Sequence, residues 1–458
     1  VPARNPIVFL RILPFFIAVM AVLFAPLRTP GQPVLKGEYH LLSGIAFSNP
    51  GEWLPGVQLV SIHLDQRFDH GRFFARTDIR NRFEASADSL EWALPEVWLE
   101  LYFSSSDLRI GRQILQPGHS PFQAPVDRIQ PVDLRNFLLE PESSLRRGTI
   151  ALAYSYYLGD SRFRLLLSPV PTPTLLPRPD SRWFAHIPVP AGIPVRVDAP
   201  ENRRGIAQPQ FALLWDSGIV GPLELQAGAL YWTPSNPAYR KQIRISSPDN
   251  PLPSPVITLT EHFTPSWIFT GAVSLQLSTA LSVTGEAAWF REKAFDRIPG
   301  TLLAFQWDVP DLTLLPVITQ IIATEDEGFL STHSAVETLL GMQYSGSLLT
   351  LGAQWSTQII PDPHPDVIQD ALFHLLAASA RRELFRQRLA SELTIVYQPN
   401  GKDFWVRTEH TYDLMDNVNV SAGAHFFGGP LPQVNYGHPS FGSYRSNSLI
   451  YAGIRFFF

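Results

Sequence analysis

The chain ends Ile450, Tyr451, Ala452, Gly453, Ile454, Arg455, Phe456, Phe457, Phe458. Ile450, Ala452, Ile454, Phe456 and Phe458 recur at every second position, a spacing that puts all five on one face of a strand. The same period runs back toward Tyr39, in segments of about ten residues separated by Gly, Pro, Asn, Asp and Ser. In one segment Val60, Ile62, Leu64 and Phe68 alternate with Ser61, His63, Asp65 and Arg67. The next sets Phe73, Ala75, Thr77 and Ile79 between Arg72, Phe74, Arg76, Asp78, Arg80 and Arg82. A third sets Val97, Leu99, Leu101 and Phe103 against Glu96, Trp98, Glu100 and Tyr102. An all-β chain is expected.

Composition narrows the class. Of 458 residues 45% are hydrophobic, 12% aromatic and 17% charged, against roughly a quarter charged in an average soluble protein. So much apolar surface must be buried against something, which excludes disorder. The absence of Cys excludes a disulfide scaffold and a thiolate metal site. The 42 prolines argue against a mainly helical protein or a parallel sheet, and a net charge of −5 offers no basic footprint for nucleic acid. No charge run or Gly/Ser tract divides the chain, so one large architecture is expected.

At the other end, Arg4 and Arg11 precede the apolar run from Ile12 to Ala25, which Pro26 and Arg28 close. A run of about fourteen is short of the roughly twenty that span a bilayer as a helix, and the basic flank fits a secretory signal. Residues 1–30 are therefore expected to be a signal peptide and 31–458 the exported domain. No later stretch approaches a membrane-spanning helix. For an exported chain, alternation has a second solution besides a soluble sandwich: apolar outward into lipid, polar inward to a lumen.

The connections favour that solution. Short ones near Asp69 to Gly71, Ser104 to Asp107, Gly159 to Ser161, Ser217 to Gly221 and Leu414 to Asp416 alternate with long Pro-rich ones such as Leu115 to Arg147 and Pro169 to Gln208. A membrane barrel pairs tight inner turns with long outer loops in this way. Aromatics at segment ends, such as Tyr231 with Trp232 and Trp289 with Phe290, suit interfacial girdles. The count is about 16–18 antiparallel strands, eighteen if Ala371 to Arg381 is a strand despite a Leu, Ala and Arg content that suits a helix.

The Phe-ended last strand resembles the C-terminal signal by which bacterial outer-membrane proteins are recognised for assembly, carried here by Ile454, Phe456 and Phe458. Gly111, Arg112, Gln113, then Pro125, Val126, Asp127 and Pro131, Val132, Asp133, Leu134 are similar to a largely uncharacterised group of porin-like outer-membrane barrels. That group is loosely related to the alginate-export and substrate-selective porins. Tyr397, Gln398, Pro399, Asn400, then Phe426, Phe427, Gly428, Gly429 and Asn447, Tyr451, Arg455 are similar to the same group. Gln116, Pro117, Gly118, His119 stands where the group often carries Trp-Gly. The resemblance implies an outer-membrane barrel whose partners are outer-membrane lipids and lipopolysaccharide, the barrel-assembly machinery and small solutes.

Chemistry is sought on the inner face. Arg72, Arg76, Arg80 and Arg82 form a ladder two or four residues apart. Asp78, Glu96, Glu100 and Arg112 are expected to line the same pore. The stretch Gln113 to Arg147, with Asp127, Arg128, Asp133, Arg135, Arg146 and Arg147 among prolines, is the candidate constriction loop. No His-Glu-x-x-His, Gly-x-Ser-x-Gly or phosphate-binding loop is present, so no catalytic residue, metal or cofactor is assigned. A lipase would need a Ser beside the lipid-facing His410, and the outward residues after it are Val418, Val420 and Ala422. The expectation is a porin-like channel passing small polar or anionic solutes. Its alternatives are a plugged or structural barrel for binding, adhesion or polymer export and, third, a barrel enzyme.

Overall fold

Alternating segments become paired strands wherever each backbone N–H and C=O finds a neighbour, and in this chain the pairing closes on itself. The structure, a computed structural model, describes residues 33–48, 53–81, 90–115, 124–127, 129–177, 181–184, 195–198, 208–245, 255–300, 302, 317, 319–321, 328–432 and 437–458. The expected signal segment, 1–30, lies outside the described residues.

In chain order the strands are β1 (Val34–Ala46), β2 (Trp53–Phe68), β3 (Gly71–Asn81), β4 (Leu90–Tyr102), β5 (Ser106–Gln113), β6 (Thr149–Leu158) and β7 (Ser161–Ser168). There follow β8 (Val195–Asp198), β9 (Gln210–Val220), β10 (Leu223–Trp232), β11 (Ala238–Ile245), β12 (Pro255–His262), β13 (Ser266–Gln276) and β14 (Leu281–Asp296). The last are β15 (Leu330–Ser345), β16 (Leu349–Ile359), β17 (Leu372–Leu384), β18 (Leu389–Gln398), β19 (Asp403–Met415), β20 (Val418–Gly428) and β21 (Leu449–Phe457). Eighteen of them form one antiparallel sheet. It is a closed barrel because β1 pairs both with β2 and with β21. Backbone hydrogen bonds between Gly37 and Phe458, at 2.7 and 2.9 Å, complete the seam. Closure satisfies every edge, which is what a sheet in hydrocarbon requires.

The two faces divide as the period requires. Ile450 and Phe456 point outward and are exposed, as are Leu340, Met342, Leu351, Leu376, Leu393 and Ile395 on other strands. Phe211, Tyr231, Trp267, Phe269 and Trp289 form an outward aromatic row across β9, β10, β13 and β14, with successive contacts at 5.4–6.2 Å. Such rows sit at the interface between hydrocarbon and water. β17 is a strand paired on both sides, so the helix-like composition of 371–381 yields to its neighbours. Ala377 and Leu375 face inward there, and Leu376, Ala378 and Ala380 face out.

One end of the barrel carries the tight connections 69–70, 103–105, 159–160, 221–222, 277–280, 346–348, 385–388 and 416–417. The expected short turn at Ser217 to Gly221 falls at 221–222, because β9 continues past a register shift opposite Glu224 and Gln226. Gly159 and Gly221 hold the left-handed φ of +59° and +63° that two-residue hairpin turns demand. The other end carries the long connections, and two of these hold structure absent from the strand pattern. β8 pairs in parallel with β12, and β12 antiparallel with β11, as a separate three-stranded sheet. Its Ile257 and Leu259 pack with Ile298, Leu302 and Phe329. Inside the barrel, Leu166, Leu230, Ile268 and Phe290 are also fully buried, in a cluster that takes in Leu115 and Ile129 of the 114–148 connection.

Candidate functional site

β3 places Arg72, Phe74, Arg76, Asp78 and Arg80 on the lumen side, because Phe73, Ala75 and Ile79 take the outward positions. Register then decides their partners. β2 brings Asp65, His63 and Ser61 alongside, and β4 brings Glu100, Trp98 and Glu96, then Glu91 after a register shift. Arg72 donates Nε and Nη2 to Asp65, both at 2.8 Å. Arg76 donates Nε to Asp78 Oδ1 at 2.9 Å, and Ser61 donates to the same oxygen at 2.7 Å. Arg80 reaches Asp78 at 3.1 Å. Arg109 of β5 bonds Glu100 at 2.5 Å and lies 4.3 Å from the centre of the Trp98 ring, which Arg72 also approaches, at 5.3 Å.

The ladder continues into the 114–148 connection. Arg80 donates to Asp133 at 3.4 Å and to the Ser144 carbonyl at 2.7 Å. Arg135 bonds Asp133 at 2.6 Å and Glu91 at 2.9 Å. Within this network the guanidiniums of Arg72, Arg76, Arg80, Arg109 and Arg135 meet the carboxylates of Asp65, Asp78, Glu91, Glu100 and Asp133. Five cations thus meet five anions, and the paired network carries no net positive charge. Glu96 serves a different purpose from pairing the ladder: it accepts from Trp98 Nε1 and the Ile114 amide, both at 3.3 Å, and so fixes where the connection leaves β5.

Three connections interlock at this site. Asp133 donates its amide to the Leu145 carbonyl, and Arg147 donates its own to Pro131, which folds 131–147 into a hairpin. Leu134 and Val132 bond Leu175 of the next connection, whose Thr174 bonds Ser235 of a third. Arg147 donates its guanidinium to the Pro173 carbonyl. Burial pulls Arg147 down to about 10, although Asp133 opposes the shift. Ile129 joins the apolar cluster lined by β6, β7, β9 and β10. Leu138 and Leu139 join another with Leu42, Leu54, Phe427 and Leu449 on β1, β2, β20 and β21. The connection therefore runs across the inner side of β1 to β6, with Arg80 holding its middle.

Not every expected site residue joins this network. Arg82 and Arg128 lie outside the described residues. Arg112 stands in register with Val97 and Ile150, the outward row, and its Nε donates to the Gly148 carbonyl at 3.0 Å. Gly111 holds φ +135° beside it, a conformation that favours glycine. Arg146 bridges Val132, and Asp127 closes a turn onto Ala124. Arg109 and Glu91 were not singled out by the pattern, although their parity on β5 and β4 carries that information.

Elsewhere on the lumen, Arg407 bonds Glu409 at 2.6 Å, Tyr451 donates to Glu409 at 2.7 Å, and Trp405 donates to His425 at 3.1 Å. On the outer face His410 Nδ1 lies 3.0 Å from Ser391 Oγ. The Ser missing among residues after His410 comes instead from β18, its other neighbour. Among the described residues no group of three His, Asp or Glu side chains could hold a metal ion.

No family model matches the chain, and no curated protein does. Solved structures do. The outer membrane protein OpdK of Pseudomonas aeruginosa matches over 93% of this chain and 99% of its own, at 9% identity and a TM-score of 0.52. OccAB4 of Acinetobacter baumannii matches over 95% and 100%, at 8% identity and 0.52. OccAB2 of the same organism matches over 93% and 97%, at 8% identity and 0.51. At such identities the likeness shows the fold, that of a bacterial outer-membrane β-barrel.

Proposed function

We propose that this chain is an outer-membrane channel for passive passage of small polar solutes, narrowed by the connection 114–148. The carrying observation is the docking of that connection on the lumen wall through Arg80, Asp133 and Arg135. An outward apolar belt with an aromatic row suits lipid and lipopolysaccharide, and the segment 1–30 suits export. The outward positions of Ile454 and Phe456 on the closing strand, with Phe458 just beyond its end, support assembly through these three residues. The ladder supports a preference for polar solutes more than for anions, because its guanidiniums are matched by carboxylates; a pore responds to the net field along its wall.

The test is planar-bilayer recording of the refolded protein and of a variant lacking Pro117 to Glu142. Larger single-channel current in the variant is expected. Unchanged current from a folded variant would place the connection outside the conduction path. A second reading, a plugged barrel used for binding or export, has one observation in its favour: Leu166, Leu230 and Ile268 on the inner face are fully covered. Absence of current in both proteins would select it. No enzymatic role is proposed.

A further inference from the structure

The outward face of β15, β16 and β17 carries a polar row inside the apolar belt. Thr338, Thr357 and His374 are direct cross-strand partners, one on each strand. The outward row on one side holds Trp289, Val336, Ile359 and Leu372, and the row on the other holds Leu340, Trp355 and Leu376. The polar row is thus bracketed by two tryptophans at the end of the barrel that bears the long connections. With Leu340, Trp355, Ile359 and Leu372 it lines a groove of about 380 Å³.

The row is rich in donors. Trp355 Nε1 donates to His374 Nδ1 at 3.3 Å, which puts the proton of the neutral ring on Nε2. Among the described residues that Nε2–H has no protein acceptor. Thr338 and Thr357 hydroxyls share one hydrogen bond of 2.7 Å, leaving the second hydroxyl proton to be donated elsewhere. In hydrocarbon an unmet donor is costly, and lipid-facing polar groups survive where something satisfies them. At the depth of an aromatic girdle the membrane supplies two acceptors, the phosphate oxygens and the acyl carbonyls. Among the described residues no Lys or Arg lines the groove, so none of them compensates a phosphate charge, whereas neutral donors beside apolar walls match a neutral carbonyl and its chain.

We propose that this groove binds a membrane lipid through one acyl-ester carbonyl, which accepts from His374 Nε2. The attached chain lies along Leu340, Trp355, Ile359 and Leu372. The inference rests on the outward face meeting lipid, as in the function proposed above, and is independent of whether the lumen conducts.

Native mass spectrometry of the full chain in nonionic detergent tests it, with a diacyl phosphatidylethanolamine and its dialkyl ether analogue as probes. The ether lipid keeps the chains and headgroup and lacks the carbonyl. Wild type should retain the ester lipid about three- to tenfold better than the ether lipid, the range a single lost hydrogen bond commands. His374→Leu should bind the two equally, at the ether level, and His374→Gln, which restores a donor, should recover part of the preference. Equal retention of ester and ether lipid by wild type overturns the proposal. So does an oligomer that dissociates in His374→Leu without loss of lipid, which would assign the groove to a second copy of the chain. The expected lipid pattern on a barrel that passes no current supports the site while refuting the channel.

Discussion

Replacing Arg80 by Gln should loosen the 129–147 segment from the wall while leaving the barrel intact. The Arg80 side chain is 6% exposed and makes three contacts, with Asp78 at 3.1 Å, Asp133 at 3.4 Å and the Ser144 carbonyl at 2.7 Å. Two of the three reach the segment. A hydrogen bond involving a charged group contributes about 1.5–3 kcal/mol, and the Asp133 contact, being long, belongs at the lower end. Neither carboxylate is orphaned by the change, since Asp78 keeps Arg76 at 2.9 Å and Asp133 keeps Arg135 at 2.6 Å. The penalty of about 3–5 kcal/mol for stranding a buried charge therefore does not apply in full. A net loss of about 3 kcal/mol remains, which raises the undocked population roughly a hundredfold. Trypsin applied to the folded protein should cut after Arg135, Arg146 or Arg147 faster by a comparable factor, because cleavage tracks the open population when reclosing is quick. Single-channel current should become larger or noisier. Heat-modifiable gel mobility is the control for the barrel. Cleavage within threefold of wild type, with unchanged current, would refute the claim that Arg80 holds the segment.

The matched charges of the wall give reversal potentials in a KCl gradient close to unselective, and Arg76→Gln with Arg80→Gln should shift them toward cations by leaving Asp78 and Asp133 undercompensated; a strongly anion-selective wild type would contradict the pairing. Deleting Phe456 to Phe458 removes the Gly37 to Phe458 seam and three apolar side chains, so outer-membrane levels should collapse, and normal levels would count against assembly through the last strand. His438, in the connection between β20 and β21, is held down to about 3 by burial and then by Lys293, and accepts from the Asp370 amide at 3.0 Å. Its folded value lies below the unfolded 6.5, so the unfolded form binds the proton first. Stability is then full above pH 6.5 and falls by about 1.4 kcal/mol per unit as pH drops toward 3. Hydrogen exchange of residues 437–448, corrected for intrinsic rates, should show less protection at pH 4.5 than at pH 7; equal protection would sink this account.

The alternation of Val60 to Phe68, Arg72 to Arg80 and Ile450 to Phe458 determined by itself that the chain is made of strands with one lipid-compatible face. The pleat is a local property with a period of two, so it is written residue by residue. The placement of tight turns was legible for the same reason, through Gly159 and the short gaps around it. Composition misled only locally: Leu, Ala and Arg from 371 to 381 favour a helix in isolation, and pairing on both sides with β16 and β18 overrides that preference.

Partnership was decided by the tertiary structure. The acid that meets Arg80 from the connection is Asp133, 53 residues away, and the Ser beside His410 comes from the preceding strand at Ser391, not the following one. Both depend on register and on where a long connection folds, which no local period encodes. The same holds for Leu166, Leu230, Ile268 and Phe290. Apolar side chains on an inner face break the polar-inward rule, and they are accommodated because long connections fold in and cover that face, removing it from water. Charge balance on the ladder is likewise a property of the assembled wall: the arginines are visible in one strand, but the carboxylates that match them come from β2, β4 and the 114–148 connection, brought together only when the sheet closes.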